Sequence, residues 1–213
     1  GRYHQSVRQI QSQLSDVFGL RFSTGAISEA MGKVTPMLTL TCQAIHEQIQ
    51  AAEVVHADET RHYREQELRW LWLAATAQLT YCQVFFSRGQ VAARSLLSKD
   101  AETSVFGQVV VTDQYVGYNW LPDEQRQLCW AHLLRNFERI AGREGESRRI
   151  GLRLLRTGHC LFHLHHKWLA GHVDEPHYRI RLARIRSRCH HWLTLGSACQ
   201  QDKTANSCAL WLK

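Results

Sequence analysis

Two short apolar runs that each end directly in an aspartate constrain this chain more than any other feature. The first, Val-Val-His-Ala, precedes Asp58, and the second, Val-Phe-Gly-Gln-Val-Val-Val-Thr over 105–112, precedes Asp113. Runs rich in β-branched residues are typical of buried strands. A carboxylate at the edge of a buried sheet is costly to desolvate, which favours a functional reason for it. The pattern therefore predicts a sheet whose rim carries both aspartates, although either residue alone is also typical of a turn.

Changes in the pattern of apolar and polar residues divide the 213 residues into three regions. Residues 1–52 have the apolar spacing of helices, with Gly19 predicted to end one helix and Ser23 to cap the next. A helix, a short turn and a second helix form the outline of a helix-turn-helix DNA-binding region. An ordinary helical hairpin is the alternative.

The central region, 53–141, has the pattern of a mixed α/β domain. Its predicted strands cover 54–58, 68–76, 79–86 and 105–112, and its predicted helices cover 91–97 and 124–141. The last region, 142–213, begins with a polar break and predicts long amphipathic helices. Their apolar stripes run from Ile150 to Trp168 and from Tyr178 to Trp192.

The composition excludes several classes of protein. A hydrophobic content of 44%, a charged content of 21% and only 3 Pro exclude a disordered or collagen-like chain. The longest apolar stretch, 70–77, is far shorter than a membrane helix, and no signal-peptide pattern opens the chain. The 7 Cys are odd in number and lack disulfide-like spacing. We therefore expect a cytoplasmic protein with no membrane partner.

Positive charge is concentrated in one segment of the chain. Residues 143–191 contain 11 Lys and Arg against 4 Asp and Glu, which accounts for the whole net charge of +7, and they hold 8 of the 13 His. This concentration favours a polyanionic partner, because Lys and Arg that neutralise phosphates release condensed counterions. A solvated helical face is the alternative. The candidate phosphate contacts are Arg149, Arg153, Arg156, Arg181, Arg184 and Arg188.

Further candidate residues lie near the predicted sheet. Arg88 stands at a strand-to-helix turn, where it is a candidate phosphate contact at the start of a helix. Tyr115, Tyr118 and Trp120 follow Asp113 closely. These rings are candidates either for stacking on unpaired bases or for packing in the core.

A zinc site is a separate metal hypothesis. Cys129-x-x-His132 and His159-Cys160-x-x-His163 have a spacing that suits ligands on one face of a helix. Both segments fall within apolar helix stripes, whereas structural zinc sites more often place Cys-x-x-Cys pairs in loops. A zinc site is therefore disfavoured.

Five motifs occur in a fixed order along the chain. They are His-Ala-Asp-Glu-Thr at 56–60, Trp-Leu-Trp-Leu-Ala-Ala-Thr at 70–76, Ser-Arg-Gly at 87–89, Val-Thr-Asp-Gln-Tyr-Val-Gly-Tyr-Asn-Trp at 111–120 and Gln-Leu-Cys-Trp-Ala-His-Leu-Leu-Arg-Asn-Phe at 127–137. This succession resembles the insertion sequence 66 family of bacterial transposases, from about residue 20 to the C-terminus.

The resemblance implies an α/β fold with an RNase H-like mixed sheet core, preceded by the helix-turn-helix-like region and followed by a C-terminal helical insertion. It also implies an Asp-Asp-Glu site that binds Mg²⁺ or Mn²⁺, in which Asp58 corresponds to the first acid and Asp113 to the second. Cys129 and His132 would be a recurrent element beside that site. His132 and Arg135 are candidate contacts to phosphate or DNA.

The third acid of the family lies in an Asn-Asn-Ala-Ala-Glu-Arg type of motif on a helix. No segment before Lys213 matches that motif, and residues 201–206 (Gln-Asp-Lys-Thr-Ala-Asn) resemble the segment that precedes it at some distance. We therefore expect the chain to stop short of the third acid.

The leading hypothesis is a DNA transposase, or a truncated part of one. It would carry out metal-dependent strand cleavage and 3′-hydroxyl strand transfer at insertion-sequence ends. The expected partners are double-stranded DNA, as transposon ends and target, and further copies of the same chain, at the bacterial nucleoid. One alternative is a non-catalytic DNA-binding remnant that lacks the third acid, and another is a zinc-stabilised helical interaction module.

Overall fold

A computed structural model describes residues 5–64, 66–98 and 107–212 of the chain. The chain divides into two compact units, residues 1–127 and residues 128–213. Each unit has its own hydrophobic core. The helix that ends at Ala141, which the sequence assigned to the central region, belongs to the second unit.

The first unit begins with helices. They are α1 (Val7–Phe18), α2 (Thr24–Val34), a short 3-10 turn (Thr35–Leu38) and α3 (Thr39–Gln50). The predicted helix ends are confirmed. Gly19 ends α1 with φ 67°, a left-handed conformation that favours glycine, and the Ser23 hydroxyl accepts the Ala26 N–H at 3.0 Å to cap α2.

The sheet has five strands and mixed directions, and all of its residues except Leu128 belong to the first unit. The strands are β1 (Val54–Arg64), β2 (Glu67–Ala75), β3 (Thr80–Phe85), β4 (Val109–Thr112) and β5 (Arg126–Leu128), and α4 (Gln90–Leu97) lies between β3 and β4 in sequence. The strand order is β3-β2-β1-β4-β5. Neighbours β1, β2 and β3 pair antiparallel, and β1 pairs parallel with β4. The predicted mixed α/β fold class is confirmed.

One predicted strand end is wrong. β1 does not end at Asp58 but continues to Arg64, because its second half pairs with β2 along a long hairpin in which Asp58 lies opposite Leu73. Val55, Ala57 and Glu59 alternate as buried residues on one face, so Asp58 is exposed on the other face. The carboxylate of Asp58 thus projects from within a strand.

One predicted helix start is also wrong. The helix expected over 124–141 begins at Trp130, because residues 123–125 form a 3-10 turn and the next three form β5 at the sheet edge. Cys129 has an extended backbone and stands directly before the helix. The strand expected over 105–112 is described from Val109, and residues 105 and 106 lie outside the described residues.

Helices α3 and α4 contact each other and the sheet, α3 at β3 and α4 at β2. The core between them is fully buried at Ile49, Trp72 and Leu96. Val55 and Val110 carry the same core along the two central strands. This packing stabilises the parallel pair β1 and β4, on which the predicted aspartates depend.

The second unit is helical. It contains α5 (Trp130–Ala141), α6 (Gly145–Leu169), α7 (Glu175–Ser197) and α8 (Asp202–Trp211). Leu133, Phe137, Ile150 and Leu154 are among its buried core residues. No helix within the described ranges is long and apolar enough to cross a membrane.

Helices α5 and α6 of the second unit pack closely at Gly151. A Cβ there would overlap the backbone where α5 ends, 2.6 Å from the Ile140 carbonyl carbon and still closer to Ala141. We expect Gly151→Ala to lower the free energy of unfolding of this unit by about 1–3 kcal/mol or more, since overpacking shifts the backbone. Urea unfolding followed by circular dichroism measures the change.

Gly142→Ala is the matched control in the same unit. Its Cβ would meet the nearest backbone atom, the Glu138 carbonyl oxygen, at an ordinary 3.6 Å. Equal unfolding midpoints for the two variants would contradict the close packing of α5 on α6.

Candidate functional site

The structure brings the two predicted aspartates to one place on the sheet. The parallel register pairs Val54 with Val109 and His56 with Val111. The same register, continued by two residues, sets Asp58 level with Asp113 on neighbouring strands, which lie about 4.8 Å apart. Asp58 lies on the face of β1 opposite its buried residues, and Asp113 directly follows the buried Thr112, so the alternation of β4 continued by one residue puts both aspartates on the same side of the sheet.

Each aspartate is oriented by a backbone hydrogen bond to one of its carboxylate oxygens. Asp58 Oδ1 accepts the N–H of Glu59 at 2.9 Å, and Asp113 Oδ1 accepts the N–H of Tyr115 at 2.8 Å. Within the described parts of the chain, the Oδ2 atoms accept no hydrogen bond. The pair therefore offers two carboxylate oxygens to a ligand from a fixed backbone.

A third carboxylate, Glu59, lies beside this pair but faces inward. Its side chain is fully buried. Glu59 Oε1 accepts hydrogen bonds from Arg88 Nε at 2.9 Å and Nη2 at 2.6 Å, and Oε2 accepts the Tyr118 hydroxyl at 2.7 Å. Burial raises the pKa of the Glu59 carboxyl, while the hydrogen bonds from Tyr118 and Arg88 oppose that rise. Both oxygens are thus used inside the protein.

Arg88 stands where the sequence placed it, at the turn into α4, but its guanidinium is engaged by Glu59. The guanidinium also lies over the ring of Tyr115 at 3.8 Å and over that of Trp70 at 4.9 Å. These contacts hold Arg88 as a link between β1, β2 and the loop after β4. Its role as a phosphate contact stays a prediction.

The aromatic residues after Asp113 differ in exposure. Tyr118 is fully buried, and its ring packs edge-on against Trp72 at 5.8 Å. Burial also raises the pKa of the Tyr118 hydroxyl, and the nearby carboxylate of Glu59 adds to the rise. This position agrees with the core-packing alternative for Tyr118. Tyr115 and Trp120 are half-buried, each beneath an arginine.

Arg126 is a residue that sequence reasoning missed. Its Nη2 donates to the Asp113 carbonyl at 2.9 Å, its Nε to Thr112 Oγ1 at 3.1 Å, and its Nη1 to Asn119 Oδ1 at 2.9 Å. Burial lowers the pKa of the Arg126 guanidinium, against the charge of Asp113. Arg126 therefore fixes the loop that carries the second aspartate. No local sequence signal marks it, because its partners are 7 to 14 residues away in the chain.

Glu59, by contrast, had a signal in the sequence. It continues the buried alternation of Val55 and Ala57, so a strand extended past Asp58 would have placed it inward. An inward carboxylate requires partners, and that requirement points to an arginine and a hydroxyl elsewhere in the chain.

The donor set of the aspartate pair fits a hard divalent cation. Mg²⁺ prefers oxygen ligands and is commonly held by one or two carboxylates together with waters and substrate phosphates. Over residues 5–64, 66–98 and 107–212, no group of three or more His, Cys, Asp or Glu side chains is arranged to hold a metal ion. The site that the described residues form is thus a two-carboxylate site.

The remaining predicted residues lie in the second unit. Cys129 precedes α5, and His132 and Arg135 lie on it, with Arg135 Nε donating to the Ala131 carbonyl of its own helix. Three of the predicted arginines lie on α6 and three on α7. On α6, Arg149 pairs with Glu146 at 3.6 Å and Arg153 lies over the ring of Trp192 at 5.5 Å.

Comparison with models of protein families gives a match over nearly the whole chain. The model of a protein family described as "Transposase IS66 family" matches residues 3–209. No curated protein matches the chain.

The buried hydroxyl of Tyr118 generates a prediction about stability. Tyr118→Phe removes the only donor described at Glu59 Oε2 and leaves a buried acceptor unsatisfied. We expect the free energy of unfolding to fall by about 1–3 kcal/mol, the usual cost of such a group. Urea unfolding followed by tryptophan fluorescence measures it.

Tyr115→Phe provides the control for this change. It removes a hydroxyl three residues away and keeps the ring that packs on Arg88. The change should stay within about 0.5 kcal/mol. Comparable losses in the two variants would argue against the Tyr118–Glu59 hydrogen bond as a stabilising contact.

Proposed function

The chain belongs to the IS66 family of transposases, and on this premise we propose that it cleaves and joins DNA at insertion-sequence ends. Asp58 and Asp113 are the acids that we assign to this chemistry. The observation that carries the proposal is the parallel register of β1 and β4, whose continuation by two residues aligns Asp58 with Asp113.

The proposed core is RNase H-like. Three features support it: the strand order β3-β2-β1-β4-β5, the antiparallel hairpin from β1 to β2 to β3, and the parallel pairing of β1 with β4. The first acid projects from β1 and the second directly follows β4. Adjacent strands are a stable place for two ligands, because the ladder hydrogen bonds hold their spacing.

Asp58 and Asp113 would hold Mg²⁺ or Mn²⁺ through their Oδ2 atoms. When bound, such an ion stabilises negative charge on the attacking and leaving oxygens of a phosphodiester. The protein's own contribution is positioning. The N–H groups of Glu59 and Tyr115 orient the carboxylates, and Arg126 fixes the loop of Asp113.

The proposed reaction has two displacements at phosphorus. Water first cleaves one phosphodiester bond and leaves a 3′-hydroxyl on the transposon end. That hydroxyl then attacks a target phosphodiester, so one P–O bond forms as another breaks. No side chain becomes covalently attached to DNA in this scheme.

We assign DNA binding to the basic second unit and to the helices α1 and α2. The net charge of +7 attracts a polyanion, and its excess lies within 143–191. The turn between α1 and α2 supports the helix-turn-helix proposal. Action on paired ends would require more than one copy of the chain, with the nucleoid as the place of action.

A second candidate function is DNA binding without cleavage. The observation that favours it is that the described residues provide two acids to the site and commit Glu59 to Arg88 and Tyr118. In that case the chain would occupy transposon ends without cutting them.

Asp58→Asn separates the two candidate functions. If the chain cleaves, supercoiled DNA carrying insertion-sequence ends should be nicked in Mn²⁺, and Asp58→Asn should lower the rate by more than about a hundredfold. Losing a metal ligand removes several kcal/mol of transition-state stabilisation. Agarose gel electrophoresis of the plasmid measures nicking, and calorimetric titration with Mn²⁺ measures the loss of metal binding directly.

Glu124→Gln is the control for both measurements, because it removes an exposed carboxylate of the same unit. It should leave nicking and Mn²⁺ binding unchanged. Salt-dependent binding of the ends with no nicking at any Mn²⁺ concentration would establish the second candidate instead.

A further inference from the structure

A basic groove lies between α6 and α7 of the second unit. Its cavity measures about 250 Å³ and opens to solvent along the helix pair. Leu164, which is buried, and Ile185, which is half-buried, contribute its apolar surface. An apolar surface beside charged groups keeps water away from one side of them and strengthens their field.

Five basic side chains line this groove. His163 and Lys167 come from α6, and Arg181, Arg184 and Arg188 come from α7. On each helix the spacing is three or four residues, so the side chains of one helix share a face. Basic side chains from both helices thus line the same groove.

The carboxylates of this helix pair are used elsewhere. Glu175 pairs with Arg179 at 2.7 Å, and the Asp174 carboxylate caps α7 through the His177 N–H at 2.9 Å. The His177 hydrogen bonds lower the pKa of Asp174, and the charge of Arg181 adds to that effect. For the described residues, no carboxylate lies within ion-pair distance of Lys167, Arg184 or Arg188.

Aromatic packing holds the two walls of the groove together. The rings of Trp168 on α6 and Tyr178 on α7 stack with 4.8 Å between centroids. His165 lies against both of these rings and within 3.3 Å of the Tyr178 hydroxyl. The cations are therefore held close together by a fixed helix pair, at a cost in mutual repulsion that a bound anion would offset.

We propose that this groove, which we call the α6–α7 groove, binds the phosphate backbone of one DNA strand. Arg184 and Arg188 are four residues apart, a span of about 6 Å along a helix. One strand of duplex DNA carries a phosphate for about every 3.4 Å of helix axis, so this span is long enough to contact two phosphates of one strand. The inference rests on the proposed function, and it places the backbone contact on Lys167, Arg184 and Arg188.

The salt dependence of DNA binding tests this assignment. We would measure fluorescence anisotropy of a labelled duplex with the full chain, between about 50 and 200 mM salt. The slope of log affinity against log salt is negative, and each lost phosphate contact lowers its magnitude by about 0.9. We expect a decrease of about 0.9 for Arg184→Gln and about 1.8 for Arg184→Gln combined with Arg188→Gln.

Arg186→Gln is the matched control. It removes the same charge from the same helix two residues away, and Arg186 does not line the groove. Its slope should equal that of the unchanged protein. Equal decreases for Arg184→Gln and Arg186→Gln would overturn the proposal, because they would show attraction to the whole helix.

Two other outcomes are distinct. DNA binding with an unchanged slope in the double variant would overturn the groove and leave the proposed function intact. A chain that binds no DNA would end both. Asp58→Asn should keep the full slope, so a loss of nicking in that variant reports on the aspartate pair and not on the groove.

Discussion

The arrangement of the first unit depends on the hydrogen bonds that the buried carboxylate of Glu59 accepts. A buried charge is tolerated only when it is paired and hydrogen-bonded, and removing one partner of such a pair costs several kcal/mol. Arg88 and Tyr118 meet that requirement from two other segments of the chain. The backbone of β1 is thereby tied to the turn before α4 and to the loop after β4.

The same contacts order the aspartate pair. Arg88 lies over the ring of Tyr115, whose N–H donates to Asp113, and the N–H of Glu59 donates to Asp58. The Glu59 side chain thus has no free oxygen for a ligand. It connects the segments that carry Asp58 and Asp113, which do have free oxygens. Glu59 is a positioning residue in this arrangement, and the aspartates are the groups that face outward.

How much of this could be predicted from the sequence depends on the range of each contact. The helix ends at Gly19 and Ser23 depend on residues that are neighbours in the sequence, so the residue preferences of helix caps predicted them. Two strand-like runs that each end in an aspartate predicted both acids at the rim of one sheet. The extension of β1 and the edge strand β5 depend on partners far along the chain, so a window of neighbouring residues could not reveal them.

The site shows the same division between local and distant information. Glu59 could have been found by continuing the alternation of β1, but Arg126 could not, because the four acceptors that hold it come together only in the folded loop. The aspartates were predicted as site residues because a carboxylate beside an apolar run is conspicuous in a sequence. The residues that contact the aspartates are not distinctive in the sequence, and only the fold brings them together.

The arginines of the two units differ in what surrounds the guanidinium group. Arg88 and Arg126 are satisfied by acceptors of the protein, so their charges stabilise the chain itself. Arg184 and Arg188 line a groove, and no carboxylate of the described residues lies within ion-pair distance of either one, so their charges remain available to an outside anion. A count of basic residues along the sequence treats the four alike. The four differ in whether the fold brings a hydrogen-bond acceptor within reach of the guanidinium. For this reason the candidate DNA contacts can be narrowed from the six arginines predicted from the sequence to those that line the α6–α7 groove.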